Sequence, residues 1–252
     1  MFRHRGKARR LVHNLKLASL LSFVAGVVNV AGFFSVQVLT TNVTGHFAYF
    51  ADGVVKQDFE NALYFLLYIL SYLSGAFVSS TLVEWTQKIN PRYANAIPVF
   101  TEILLLTGVA LLAPGTILHF APLVACTLLF AMGLQNAMVT RISDAVVRTT
   151  HLTGLFTDLG IELSQLFFWR KPEHRKKLKA SVKLRFAIIS FFFLGCVAGG
   201  IGFTWLHIRI LFLAVICLLI GIIYSDIRYR LLLLKKNFPG GRAPSRNRRP
   251  VS

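Results

Sequence analysis

The chain has 252 residues, of which 55% are hydrophobic and 15% charged, and its mean hydropathy is +0.60. A soluble domain carries about 25% charged residues to cover its surface, so the composition excludes an ordinary water-soluble globule and fits a bilayer, whose acyl chains solvate the 22 Phe. The net charge of +18 would point a soluble protein toward nucleic acid. Here the Lys and Arg fall between apolar segments instead of along one folded face, as membrane insertion produces, and no nucleic-acid partner is expected.

Taken in order, the chain opens on a basic arm, residues 1–16, with Arg3, Arg5, Lys7, Arg9, Arg10 and Lys16. The apolar run Leu17 to Leu39 follows. A secretory signal has an apolar core of about 7 to 15 residues and then a cleavage site; this run is longer and leads into further apolar segments, so it reads as a retained first helix. Further runs lie near Ala62 to Val83, Ala94 to Ala113, Ile117 to Val139, Leu184 to Leu206 and Ile208 to Tyr224. Since a helix rises about 1.5 Å per residue and roughly 20 residues cross the hydrocarbon core, the expected fold is an all-α polytopic membrane bundle of about six transmembrane helices. The membrane domain is placed at residues 17–231, and the basic tail 232–252, rich in Pro, Gly, Ser and Arg, reads as disordered.

Of the 28 Lys and Arg, 26 fall in the arm, the Glu84 to Tyr93 loop, the Thr140 to Arg185 region and the tail, leaving Lys56 and Arg209 on the other side with Asp52, Asp58 and Glu60. Under the positive-inside rule both termini are cytoplasmic, which requires an even number of spans. The stretch Trp169 to Lys179, WRKPEHRKKLK, is then a topology determinant and a contact for anionic lipid.

An internal repeat is visible. Thr41-Asn42-Val43-Thr44-Gly45-His46-Phe47 aligns with Thr150-His151-Leu152-Thr153-Gly154-Leu155-Phe156 at an offset of 109, and Phe23, Gly26 and Asn29 align with Phe130, Gly133 and Asn136 at an offset of 107. Ser71 to Ser80 resembles Phe191 to Gly200, with Gly75 opposite Gly195. Three spans per half, residues 17–113 and 117–226, would make the second half enter the membrane in the opposite direction, giving two inverted repeats. The small residues Gly75, Ser79, Gly195 and Gly199 suit close helix packing.

Each Thr-x-x-Thr-Gly segment could begin a short helix. After Leu152 the apolar Leu155, Phe156, Leu159, Leu163, Leu166 and Phe167 share one face, and Thr157, Asp158, Glu162 and Gln165 another. Two readings stand: an interfacial amphipathic helix capping the bundle, or a re-entrant segment reaching the midplane, where irregular backbone must line protein or a water-filled cavity.

These blocks, with Val147-Arg148-Thr149-Thr150-His151-Leu152-Thr153-Gly154 and Thr157-Asp158-Leu159-Gly160, resemble the YoaK-like family of uncharacterised bacterial membrane proteins, defined as a domain of unknown function, over roughly Leu17 to Leu231. The resemblance implies a bacterial inner-membrane protein of about six helices. It brings no reaction, substrate or cofactor.

Polar side chains inside spans are expensive and usually face a partner or a pathway. The candidates for contacting a small solute or ion are Asn29, Thr41, Asn42, Thr44, Gly45, Glu102, Gln135, Asn136, Thr150, Thr153, Gly154, Asp158 and Glu162. Glu102 could carry a proton or a cation, or be neutralised by Arg92. Asn29 and Asn136 could equally join helices, and Asp158 with Glu162, one turn apart, could pair with Arg141 or Arg148. His46 and His151 lack Cys partners and regular spacing, and Cys126, Cys196 and Cys217 sit in apolar runs without disulfide or zinc spacing, so no metal or cofactor is expected. No nucleophile elbow, His-Glu-x-x-His or phosphate loop is present, so no enzyme is expected either. The inverted repeat, the paired Asn residues and the Thr-Gly blocks favour a secondary transporter or permease with a site between the halves; a non-transporting interaction or accessory protein is the alternative, and a homo-oligomer is compatible with both.

Overall fold

The computed structural model describes residues 11–91, 93–168 and 172–237. The start of the basic arm, Arg92, Trp169 to Lys171 and the tail from 238 onward fall outside the described residues. In lipid a backbone must satisfy its own hydrogen bonds, so apolar runs of this length become helices. Among the described residues the elements are α1 (Leu11–Val36), α2 (Val43–Val55), α3 (Phe59–Ile89), α4 (Ala96–Ala110), α5 (Pro114–His119), α6 (Ala121–Ser143), α7 (Leu152–Phe168), α8 (Pro172–Leu206) and α9 (Leu211–Asn237), with a 3-10 turn at His207–Ile210.

Four segments are long and apolar enough to cross a membrane: Asn14–Val36, Phe59–Ile89, Ala121–Ser143 and Pro172–Ile227. The last spans 56 residues and contains α8 and α9 as far as Ile227, broken at His207, whose φ is +49°. The third expected span is the 15-residue α4, flanked by the separate short helix α5. The expected span at Ile117 to Val139 is thus divided, because Pro122 in the first turn of α6 favours a new helix start. Residues 232–237, assigned above to the tail, lie in α9.

The helix surfaces are sorted as a bilayer requires. On α3 the outward positions Leu63, Leu67, Leu70, Leu73 and Phe77 are exposed, while Tyr68, Gly75, Ser79 and Val83 are buried against neighbours. Large apolar residues outside and small ones inside reverse the soluble pattern, since lipid gives apolar side chains no reason to hide and helix association depends on close packing.

The two most extensive helix pairings are α1 with α8 and α3 with α6, and both rest on glycine. A Cβ on Gly26 would run into the Phe192 carbonyl and one on Gly195 into that of Phe23. Likewise a Cβ on Gly133 would meet the Tyr72 carbonyl and one on Gly75 that of Phe130. Gly199 packs the same way on Val27. Backbones this close exchange dispersion and Cα–H to carbonyl contacts that larger residues would prevent. In addition, α1 packs on α9, α6 on α4, α4 on α9 and α1 on α6, while α2 lies on α3 and α7 on α8.

Candidate functional site

Both Thr-Gly blocks are helix starts. Asn42 caps α2, its Oδ1 accepting the Gly45 N–H at 3.0 Å, a short polar side chain being suited to an orphan first-turn donor. His151 occupies the aligned place before α7, where the nearest atom to a Cβ on Gly154 would be its Nδ1 at 3.2 Å. The Thr-Gly residues therefore lie in regular first turns rather than in unwound backbone. Thr44 and Thr153 are exposed.

The repeat asparagines fasten these starts to the bundle. Asn29 Oδ1 accepts from the Thr41 N–H at 3.2 Å and from Thr41 Oγ1 at 2.9 Å. Asn136 Oδ1 accepts from Thr149 Oγ1 at 3.0 Å, and its Nδ2 donates to Tyr72 Oη at 2.8 Å and to the Met132 carbonyl at 3.0 Å. Tyr72 also hydrogen-bonds Thr150. Each asparagine thus joins a membrane helix to the block that follows it, Asn29 through its Oδ1 and Asn136 through both ends of its amide.

Around α2 the packing is closed. His46 is buried, donates from Nε2 to the Leu39 carbonyl at 2.9 Å and lies among Phe65 and Tyr68. Burial lowers its pKa below the ordinary 6.5, against a smaller upward effect of the Leu39 hydrogen bond.

Around α7 the amphipathic pattern docks the other way from a soluble helix. Phe156, Leu163 and Phe167 point outward, while Asp158 and Glu162 turn toward α8 and meet Arg185. Arg185 Nη1 donates to Asp158 Oδ2 at 2.7 Å, and Nε and Nη2 donate to Glu162 at 2.9 and 3.1 Å. Ser181 Oγ donates to Glu162 Oε1 at 2.6 Å. The expected partners Arg141 and Arg148 are not used: Arg141 bonds Glu84 and Ser80, joining α6 to α3. Arg185 took that place because it faces α7 from α8, a tertiary relation that spacing along the chain does not encode.

Glu102 stands apart. It is fully buried on α4, and neither carboxylate oxygen has a hydrogen-bond partner among the described residues; the expected neutralisation by Arg92 concerns a residue outside them. On α6, which packs against α4, Gln135 is equally buried: its Nε2 donates to the Leu21 carbonyl of α1 at 3.1 Å, and its Oε1 has no partner. Ser22, next to that carbonyl, also has an unpartnered buried hydroxyl. A buried polar group without a partner is costly, and Asn14, Ser22, Ser79, Glu102 and Gln135, all on α6 or on helices packed against it, each carry such an atom. Of Asn29, Asn136, Asp158 and Glu102, Asp158 lines a cavity at the start of α7 that the other three do not line. No group of three or more His, Cys, Asp or Glu side chains suited to a metal occurs among the described residues.

The family model described as "Protein of unknown function (DUF1275)" matches residues 17–224, most of the chain. The chain belongs to this family. A relative, the UPF0700 transmembrane protein YoaK of Bacillus subtilis (strain 168), is 24% identical over 181 residues, covering 69% of this chain and 78% of the relative. No solved structure matches. Like that relative the chain is a membrane protein, and the DUF1275 match covers the bundle and both Thr-Gly blocks.

The residues that sequence reasoning missed are Tyr72, Thr149, Ser181 and Arg185. Thr149 stood one position from a repeat residue, and that adjacency was the available signal. Arg185 was counted only for topology, and nothing in its local pattern set it apart from the other basic residues.

Proposed function

We propose that the chain is a secondary transporter or permease for a small solute or ion, in a bacterial inner membrane with both termini cytoplasmic. In this reading α1, α3, α4, α6, α8 and α9 are six spans arranged as two inverted three-helix repeats. The paired crossings support it: Gly26 and Gly195 join the first span of one half to the second span of the other, and Gly133 and Gly75 do the same with the halves exchanged. The pairings of α1 with α9 and α6 with α4 follow the same exchange.

The observation that carries the transport reading is Glu102. An unpartnered carboxyl, fully buried on a helix that contacts α6 and α9 of the other half, suits reversible loading by a proton or small cation as the halves rock. Gln135 and Ser22 supply further oxygens. The asparagines take a different part from the substrate contacts first considered: they clasp the ends of the pathway.

Solute flux in proteoliposomes, measured across a panel with and without a proton gradient, tests this. Gradient-driven flux is expected in the native chain and should fall at least about tenfold in Glu102→Gln. Flux that the substitution leaves unchanged would reject Glu102 as the coupling group. The accessory reading is favoured by the closure of Asn29 and Asn136, and it predicts no flux for any solute.

A further inference from the structure

The loop between α6 and α7 is fixed from both sides. Ser143 Oγ accepts the Val147 N–H at 3.0 Å, and Thr149 donates to Asn136. Val147 and Thr149 are fully buried, so alternation along the extended loop turns Arg148, between them, outward. It lines a cavity of about 360 Å³ bounded by the loop, the first two turns of α7 and the Ser181 to Arg185 stretch of α8, together with His151, Gly154 and Asp158. At roughly 30 Å³ per water, that is room for about ten waters.

The polar groups of this cavity fall into two sets. Asp158 is the one acid among its lining residues, and Arg185 neutralises it while also engaging Glu162; Ser181 is committed to Glu162. Arg148 and His151, by contrast, have side chains without a partner among the described residues. The uncompensated charge facing the space is therefore a guanidinium, a planar fork matched to two oxygens of an oxyanion. Gly154, in the first turn of α7, lines the same space, with His151 Nδ1 3.2 Å from where its Cβ would be.

We propose that this cavity binds the phosphate group of a free phosphate compound or of an anionic lipid headgroup, with Arg148 as the principal contact and His151 as a second donor. Arg185, paired with both Asp158 and Glu162, holds the carboxylates away from the bound anion without adding net charge. The site is separate from Glu102 and stands whether or not the chain transports.

The test uses the full-length purified chain in two arms. In detergent, inorganic phosphate is titrated against chloride at equal ionic strength, with thermal stabilisation as the readout. In nanodiscs, phosphatidylglycerol in phosphatidylcholine is compared with phosphatidylcholine alone. Stabilisation is expected in at least one arm, and that arm identifies the source of the phosphate. Arg148→Gln should weaken it by about tenfold or more, Arg148→Lys by less, and Lys56→Gln, at the exposed end of α2 and outside the cavity, not at all. Because Arg148 has no protein partner, the ligand-free transition of Arg148→Gln should match the native one. No stabilisation in either arm, or equal loss in Arg148→Gln and Lys56→Gln, would overturn the proposal.

Discussion

The two Thr-Gly blocks begin from nearly the same five residues and end in opposite environments. At α2, Asn42 caps the helix, His46 is packed among aromatic rings, and Gly53 lies so close to Ala62 that a Cβ would come within 3.0 Å of the Ala62 Cβ. At α7 the cap position holds a free histidine, an arginine opens onto a cavity, and a Cβ on Gly160 would meet nothing within 4 Å. The motif sets where a helix starts and how an asparagine fastens it. Whether the start is sealed or open is decided by the neighbours, α3 with its aromatic residues in one case and α8 with Arg185 in the other.

The largest effect should come from cutting the clasps. Asn136→Leu removes bonds to Thr149, Tyr72 and Met132 and should cost about 2 to 3 kcal/mol, whereas Asn29→Leu, which frees only Thr41, should cost about 1 to 2 kcal/mol. Denaturant unfolding in mixed micelles measures both, and equal costs would erase the asymmetry between the blocks.

A smaller effect tests sealed against open directly. Gly160→Ala should stabilise by about 0.5 to 1 kcal/mol, because alanine is the better helix residue and has room. Gly53→Ala has the same propensity gain but presses on the Ala62 backbone, and it should be neutral or destabilising. Thermal shifts of the same sign and size for the two would mean that α2 is no more tightly seated than α7.

The smallest effect concerns pH. With its folded pKa below 6.5, His46 contributes fully above 6.5, where the imidazole is neutral in both states. As pH falls below that value the unfolded chain takes up the proton first, so stability declines toward the lower folded value. Stability measured from pH 7.5 to 5 should drop in the native chain more than in His46→Gln. A parallel pair of curves would place the acid sensitivity elsewhere.

Much of the architecture was readable because lipid imposes few solutions. Every apolar run became a helix, and Gly75 and Gly195 were identifiable as contact points from their spacing. The errors fell where one element meets another. Asp158 and Glu162 were recognised as sharing a face, but their partner Arg185 sits 27 and 23 residues away. The asparagines were identifiable as polar groups that need a reason, yet their bonds from bundle to loop depend on Thr41, Thr149 and Tyr72, which only the packing brings to them.

The sequence by itself determined that this is a membrane protein, where its helices run and where the two blocks lie, because a backbone in hydrocarbon must bond to itself and an apolar run of about 20 residues does so as a helix. Only the tertiary structure decided which helices cross at glycine, that Glu102 is left without a partner, and that Arg148 faces a cavity. Helix rotation turns side chains by about 100° per residue, so which polar group meets which is set by packing between distant segments and not by any local pattern.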